Sequence, residues 1–88
     1  MTDDQLKRAV LDLLKEVCGV PSAQLTASRH FFEYGMDSVS AVELVVMVEE
    51  RFSIEIPDHV LSRFKCVDDV VKYLRARFDA DPLLVPAA

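Results

Sequence analysis

Three stretches of this chain repeat their apolar residues at helical spacing, and the segments between them break that period. Leu6, Val10, Leu13, Leu14 and Val17 fall on one side of a helix, with Lys7, Arg8, Asp12, Lys15 and Glu16 mostly on the other. Ala41, Leu44, Val45, Val48 and Phe52 form a second stripe, and Val67, Val70, Val71, Leu74 and Phe78 a third. In a chain of 88 residues, such stripes can be buried only against one another. The expected fold is all-α: helix, long loop, helix, short helix, helix. That is a small four-helix bundle of three long helices and one short one.

Local signals set the boundaries. Thr2 or Asp3 can cap the first helix, with Asp3 and Asp4 at its positive end, and Gly19 followed by Pro21 ends it. The second helix is predicted from about Ser38 to Phe52. Pro57 then favours extended backbone before it, and Asp58 can cap a short helix from His59 to about Phe64, with Val60, Leu61 and Phe64 apolar. The last helix is predicted from about Val67 to Phe78. Cys66 stands where a capping Ser or Thr is expected, while Asp68 and Asp69 suit the positive end. Residues 20–36 carry no period and form a long loop, with Val20, Leu25, Phe31 and Phe32 as its anchors and His30 as a loop or cap residue. Residues 1–79 are expected to form one domain, and 80–88, with Pro82 and Pro86, a flexible C-terminal tail.

Composition narrows the function. A net charge of −5 argues against nucleic acid, which needs a basic patch, and favours partners that carry Lys and Arg. Cys18 and Cys66 are too few and too far apart for a secreted disulfide framework, so free thiols in a reducing compartment are expected. The acidic start Met1-Thr2-Asp3-Asp4 does not fit a signal peptide and none is expected; no apolar run approaches the roughly 20 residues that span a bilayer. A monomeric cytoplasmic protein without membrane insertion is expected.

Chemistry is concentrated at the start of the second helix. Asp37 is a good N-cap, which puts Ser38 in the first turn with its hydroxyl pointing away from the chain. Free N–H groups and the positive end of the dipole there suit an attached phosphate. A capping serine with no further role is the commoner meaning of such a pair. The residues after Ser38 are less ordinary. Val39, Val42 and Val46 make a second apolar stripe on the same helix, interleaved with Glu43, Glu49 and Glu50. Either it is buried against a short neighbouring helix or it is exposed for partners.

A catalyst acting alone is not expected. Neither His30 nor His59 lies at a spacing that makes it a base for Ser38, and the Gly-x-Ser-x-Gly elbow is absent. No P-loop, dinucleotide fingerprint, His-Glu-x-x-His or calcium loop occurs, and no metal-ligand spacing involves either histidine. A serine on a helix start, backed by an apolar and acidic helix, looks like a site that another enzyme modifies.

These residues resemble the acyl carrier proteins and the related peptidyl carrier domains. The likeness covers about Leu6 to Phe78. Its sharpest parts are Phe31-Phe32-Glu33-Tyr34-Gly35-Met36-Asp37-Ser38-Val39, Val42-Glu43-Leu44, Glu49-Glu50-Arg51-Phe52 and Ile54-Glu55-Ile56-Pro57-Asp58. The resemblance implies that Ser38 is esterified by 4′-phosphopantetheine, taken from coenzyme A by a separate phosphopantetheinyl transferase that also reads Asp37. It implies an acyl or aminoacyl thioester on the arm, a loading enzyme, and a downstream synthase or transferase. The family's partner face falls here on Asp37, Val39, Val42, Glu43, Val46, Glu49 and Glu50, with Ile56 near the arm.

Three departures stand out: Val39 in place of the usual leucine, Ser40 where fatty-acid carriers often have an acid, and a short helix much less acidic than theirs. The Phe-Phe-Glu-Tyr-Gly-Met loop is closer to polyketide and peptide-synthetase carriers. A free-standing carrier of a specialised pathway is therefore expected. The alternatives are an unmodified interaction module docking through helix 38–52, a housekeeping fatty-acid carrier and, more remotely, a small serine esterase.

Overall fold

A computed structural model describes residues 2–21 and 24–81. It is helical throughout its regular parts: α1 (Asp3–Cys18), a 3-10 turn (Phe31–Tyr34), α2 (Ser38–Phe52), α3 (Asp58–Leu61) and α4 (Val67–Ala80), with no strand among the described residues. The expected tail beyond Asp81, with Leu83, Leu84 and Val85, lies outside the described residues.

Each long helix starts and stops for a local reason. α1 opens on a capping box: the Gln5 N–H donates to Thr2 Oγ1 at 3.2 Å, and the Thr2 N–H donates to Gln5 Oε1 at 2.8 Å. Gly19 ends it with φ +69°, its N–H donating to the Lys15 carbonyl at 2.9 Å. α2 begins behind Asp37 as expected. It closes on Ser53, a non-glycine residue held at φ +55°.

α4 has no side-chain cap on Cys66, yet its first turn is not orphaned. The Asp68 N–H donates to the Ala27 carbonyl at 2.9 Å, and Asp69 Oδ2 accepts the Lys65 N–H at 2.9 Å. The loop before α2 thus supplies what the capping position lacks.

α3 is shorter than expected and shifted. Pro57 occupies the cap position, Asp58 is the first helical residue, and the helix ends at Leu61 instead of reaching Phe64. The reason is visible in the bonding. The N–H groups of Arg63 and Phe64 donate three residues back, to Val60 and Leu61, so the chain tightens into turns.

α1 packs against both α2 and α4. Leu6, Val10 and Leu14 of α1 meet Leu44, Val45, Val48 and Phe52 of α2 and Val67, Val70, Val71, Leu74 and Phe78 of α4 in one core. Ile54 and Ile56 after α2, with Phe31 and Met36 before it, complete that core.

The anchor Phe32 does not behave as expected: Phe31 is buried, but Phe32 is 66% exposed. Neighbours in a tight 3-10 turn cannot both face one core. His30 is a cap residue, as expected: its Nδ1 accepts the Phe32 N–H at 3.2 Å, and its ring lies 4.8 Å from that of Phe32.

The two phenylalanine environments and the fully buried Leu74 give a stability contrast. Leu74→Ala is expected to cost about 2–5 kcal/mol in denaturant unfolding, by lost transfer and a cavity. Phe32→Ala is expected to stay within about 0.5 kcal/mol of the parent. A large loss at Phe32 would contradict its placement.

Candidate functional site

The site is built from the loop upward. The Tyr34 hydroxyl accepts the Thr26 N–H at 2.8 Å and donates to the Thr26 carbonyl at 3.0 Å. The Phe31 N–H donates to the Lys65 carbonyl at 2.8 Å. These bonds fasten the long loop to itself and to the segment before α4. Gly35 then turns the chain with φ +77°, a left-handed conformation that glycine adopts without penalty. Met36 is buried beyond it, and Asp37 comes next in extended backbone.

Asp37 Oδ1 accepts the Ser40 N–H at 2.8 Å, and the Asp37 carbonyl accepts the Ala41 N–H at 3.0 Å. The Ser40 backbone N–H, followed by the Ser40 side chain, holds the Asp37 carboxyl below its ordinary value. Ser38, the first residue of α2, is exposed, and no acid stands in the first turn of that helix. A groove of about 210 Å³ runs beside it. Ser38, Ala41 and Val42 form one wall, Leu61, Ser62 and Phe64 the other, and His30, Phe31 and Phe32 close the end.

The second stripe on α2 is exposed. Val39, Val42 and Val46 are 74%, 45% and 43% accessible, and with Phe32 they are the large apolar residues standing out from the described surface. Glu43 and Glu50 beside them are exposed as well.

Two residues of the expected partner face stand apart. Ile56 is only 6% exposed and belongs to the core, so it offers no surface. Glu49 is half-buried, and its Oε2 accepts the Ile56 N–H at 2.9 Å, which ties the end of α2 to the segment after it. Sequence reasoning missed this structural duty. The only available signal was a glutamate seven residues before an isoleucine in a Pro-flanked segment.

The family described as phosphopantetheine attachment site matches residues 8–74. An acyl carrier protein of Akkermansia muciniphila is 39% identical over 75 residues, covering 84% of this chain and 94% of its own. One from Thermobifida fusca is 32% identical over 75 residues, covering 84% and 95%. A meromycolate extension acyl carrier protein of Mycobacterium leprae is 28% identical over 83 residues, covering 93% and 72%.

The chain belongs to the acyl carrier protein family, whose members bear the phosphopantetheine attachment domain. Its cofactor is therefore a covalently attached 4′-phosphopantetheine. The residues around Ser38 fit such a group: an exposed hydroxyl, the positive end of a fifteen-residue helix free of acids in its first turn, and an open groove alongside.

The cap gives a pH signature. A carboxyl whose value is depressed by folding contributes stability above the ordinary aspartate range, about pH 3.9, and that contribution is lost as pH falls through the lower folded value. The Ser40 amide proton shift is expected to titrate with a midpoint below the ordinary aspartate value, and Asp37→Asn to remove the titration while keeping the helix start. A midpoint at or above the ordinary value would contradict the cap.

Proposed function

We propose that Ser38 is the attachment residue and that the chain carries an acyl or aminoacyl intermediate for separate enzymes of a specialised biosynthetic pathway. The observation that carries this reading is the position of Ser38. It is exposed at the start of α2, at the head of the Val39–Val42–Val46 stripe and on the wall of the groove. The attached arm supplies a thiol that holds the cargo as a thioester. The chain's own residues do the rest. Asp37 fixes the start of α2 and offers its carboxylate to the transferase; the helix dipole favours the phosphodiester; and the exposed valines give each partner an apolar contact.

Glu43 and Glu50 flank that contact and favour partner surfaces rich in Lys and Arg. Support for a specialised pathway comes from Ser40, Val39 and the weakly acidic α3 segment with His59 and Arg63. The expected partners are a phosphopantetheinyl transferase, a loading enzyme, and a downstream synthase or transferase. No helix among the described residues is long and apolar enough to cross a membrane.

Intact mass after incubation with coenzyme A, magnesium and a broad-specificity phosphopantetheinyl transferase tests the attachment. One phosphopantetheine is expected on the parent and none on Ser38→Ala, with the fold of the variant intact. A labelled Ser38→Ala would move the site elsewhere, and an unlabelled folded parent would favour the unmodified docking module.

A second experiment addresses the face. Glu43→Lys with Glu50→Lys is expected to slow transfer by about tenfold at low salt, with the difference shrinking as salt rises. Glu49 is spared because its bond to Ile56 would confuse docking with folding. Unchanged rates at low salt would exclude the acidic flank as the docking face.

A further inference from the structure

Several cations of this acidic chain stand in no ion pair among the described residues, and three of them lie around the α3 segment and the start of α4. Arg63, Lys65 and Lys72 are exposed, and none of them forms an ion pair among the described residues. Arg63 and Lys72 line a cleft of about 310 Å³ between the α3 segment and α4, together with Val60, Phe64, Asp69 and Tyr73. Asp69 also lines the cleft, where its Oδ2 accepts the Lys65 backbone N–H, and the two cations outnumber it. The floor is apolar and ordered: Phe64 and Tyr73 meet edge to face with centroids 5.6 Å apart.

We infer that this cleft is a second docking surface, opposite in charge to α2, for a segment of a partner enzyme that presents carboxylates around an apolar side chain. Charge complementarity selects the carboxylates, since two cations against the single carboxylate of Asp69 border the cleft in a protein of net charge −5. The apolar floor selects an aliphatic or aromatic side chain between them.

The placement gives the surface a use, and this part rests on the carrier reading proposed above. Phe64 lines both the cleft and the groove beside Ser38. The α3 segment is thus a shared wall, with the attachment serine on one side and the basic cleft on the other. A partner that meets the acids of α2 with bases and the cleft with acids can bind in one orientation only. A uniformly basic partner surface would be repelled on the α3 side.

The test uses the unmodified full chain, so it does not depend on loading. Nitrogen-15-labelled protein is titrated at low salt with a capped hexapeptide of two leucines flanked by pairs of glutamates. A matching peptide with lysines replaces it in the control. The glutamate peptide is expected to shift the amides of residues 60–65 and 69–73. Arg63→Glu with Lys72→Glu is expected to weaken it at least tenfold, while the dispersed spectrum shows the fold intact. The lysine peptide is expected to shift residues 43–50 instead.

Three results would overturn the inference: glutamate-peptide shifts along 39–50, no shifts at millimolar peptide, or unchanged affinity in the double variant. A protein that takes the arm but fails here loses only the cleft. One that binds the peptide but takes no arm loses only the carrier reading.

Discussion

The bond from the Ser40 amide to the Asp37 carboxylate decides where α2 begins, and most of the molecule depends on that register. With Asp37 as cap, Leu44, Val45, Val48 and Phe52 turn inward against α1 and α4. The same register turns Val39, Val42 and Val46 outward and leaves Ser38 exposed at the positive end. A start displaced by one residue would rotate every side chain by about 100° around the axis, exposing core residues and burying part of the face. Fold and function therefore share one hydrogen bond.

The long loop is a structural part of the site. Its bonds to the segment before α4, through Phe31 to Lys65, and to the first turn of α4, through Asp68 to Ala27, hold the residues that end the Ser38 groove. They also satisfy the start of α4, where Cys66 contributes no cap. One set of contacts thus closes a helix end and shapes the surroundings of Ser38. At the other end of α2, Glu49, a residue expected to meet partners, also braces the backbone of Ile56.

Helix positions were legible because their signals are local: a 3.6-residue apolar period, a capping box at Thr2, a glycine at position 19, an aspartate before Ser38. The ambiguity over the second valine stripe was real, since only tertiary packing decides how much of a helix is covered. α3 is too short to cover it. Phe32, Ile56 and the length of α3 were not legible for related reasons. Two adjacent phenylalanines give no phase for a tight turn. An isoleucine outside any helix does not announce which side it presents. A Pro-led segment can close as an α-turn or as tighter turns at similar cost. The cations of the α3–α4 cleft, in no ion pair among the described residues, lie on residues that the sequence separates and the fold brings together.

The central claim is that one exposed serine at the start of α2, beside the groove, receives the arm while the rest of the helix stays as it is. Comparison of amide spectra before and after phosphopantetheinylation tests this most directly. The account predicts large shifts at residues 37–42 and smaller ones across the groove at residues 61–64, with the α1 and α4 core amides unmoved. Shifts centred on another residue, or spread through the core with none at Ser38, would contradict it.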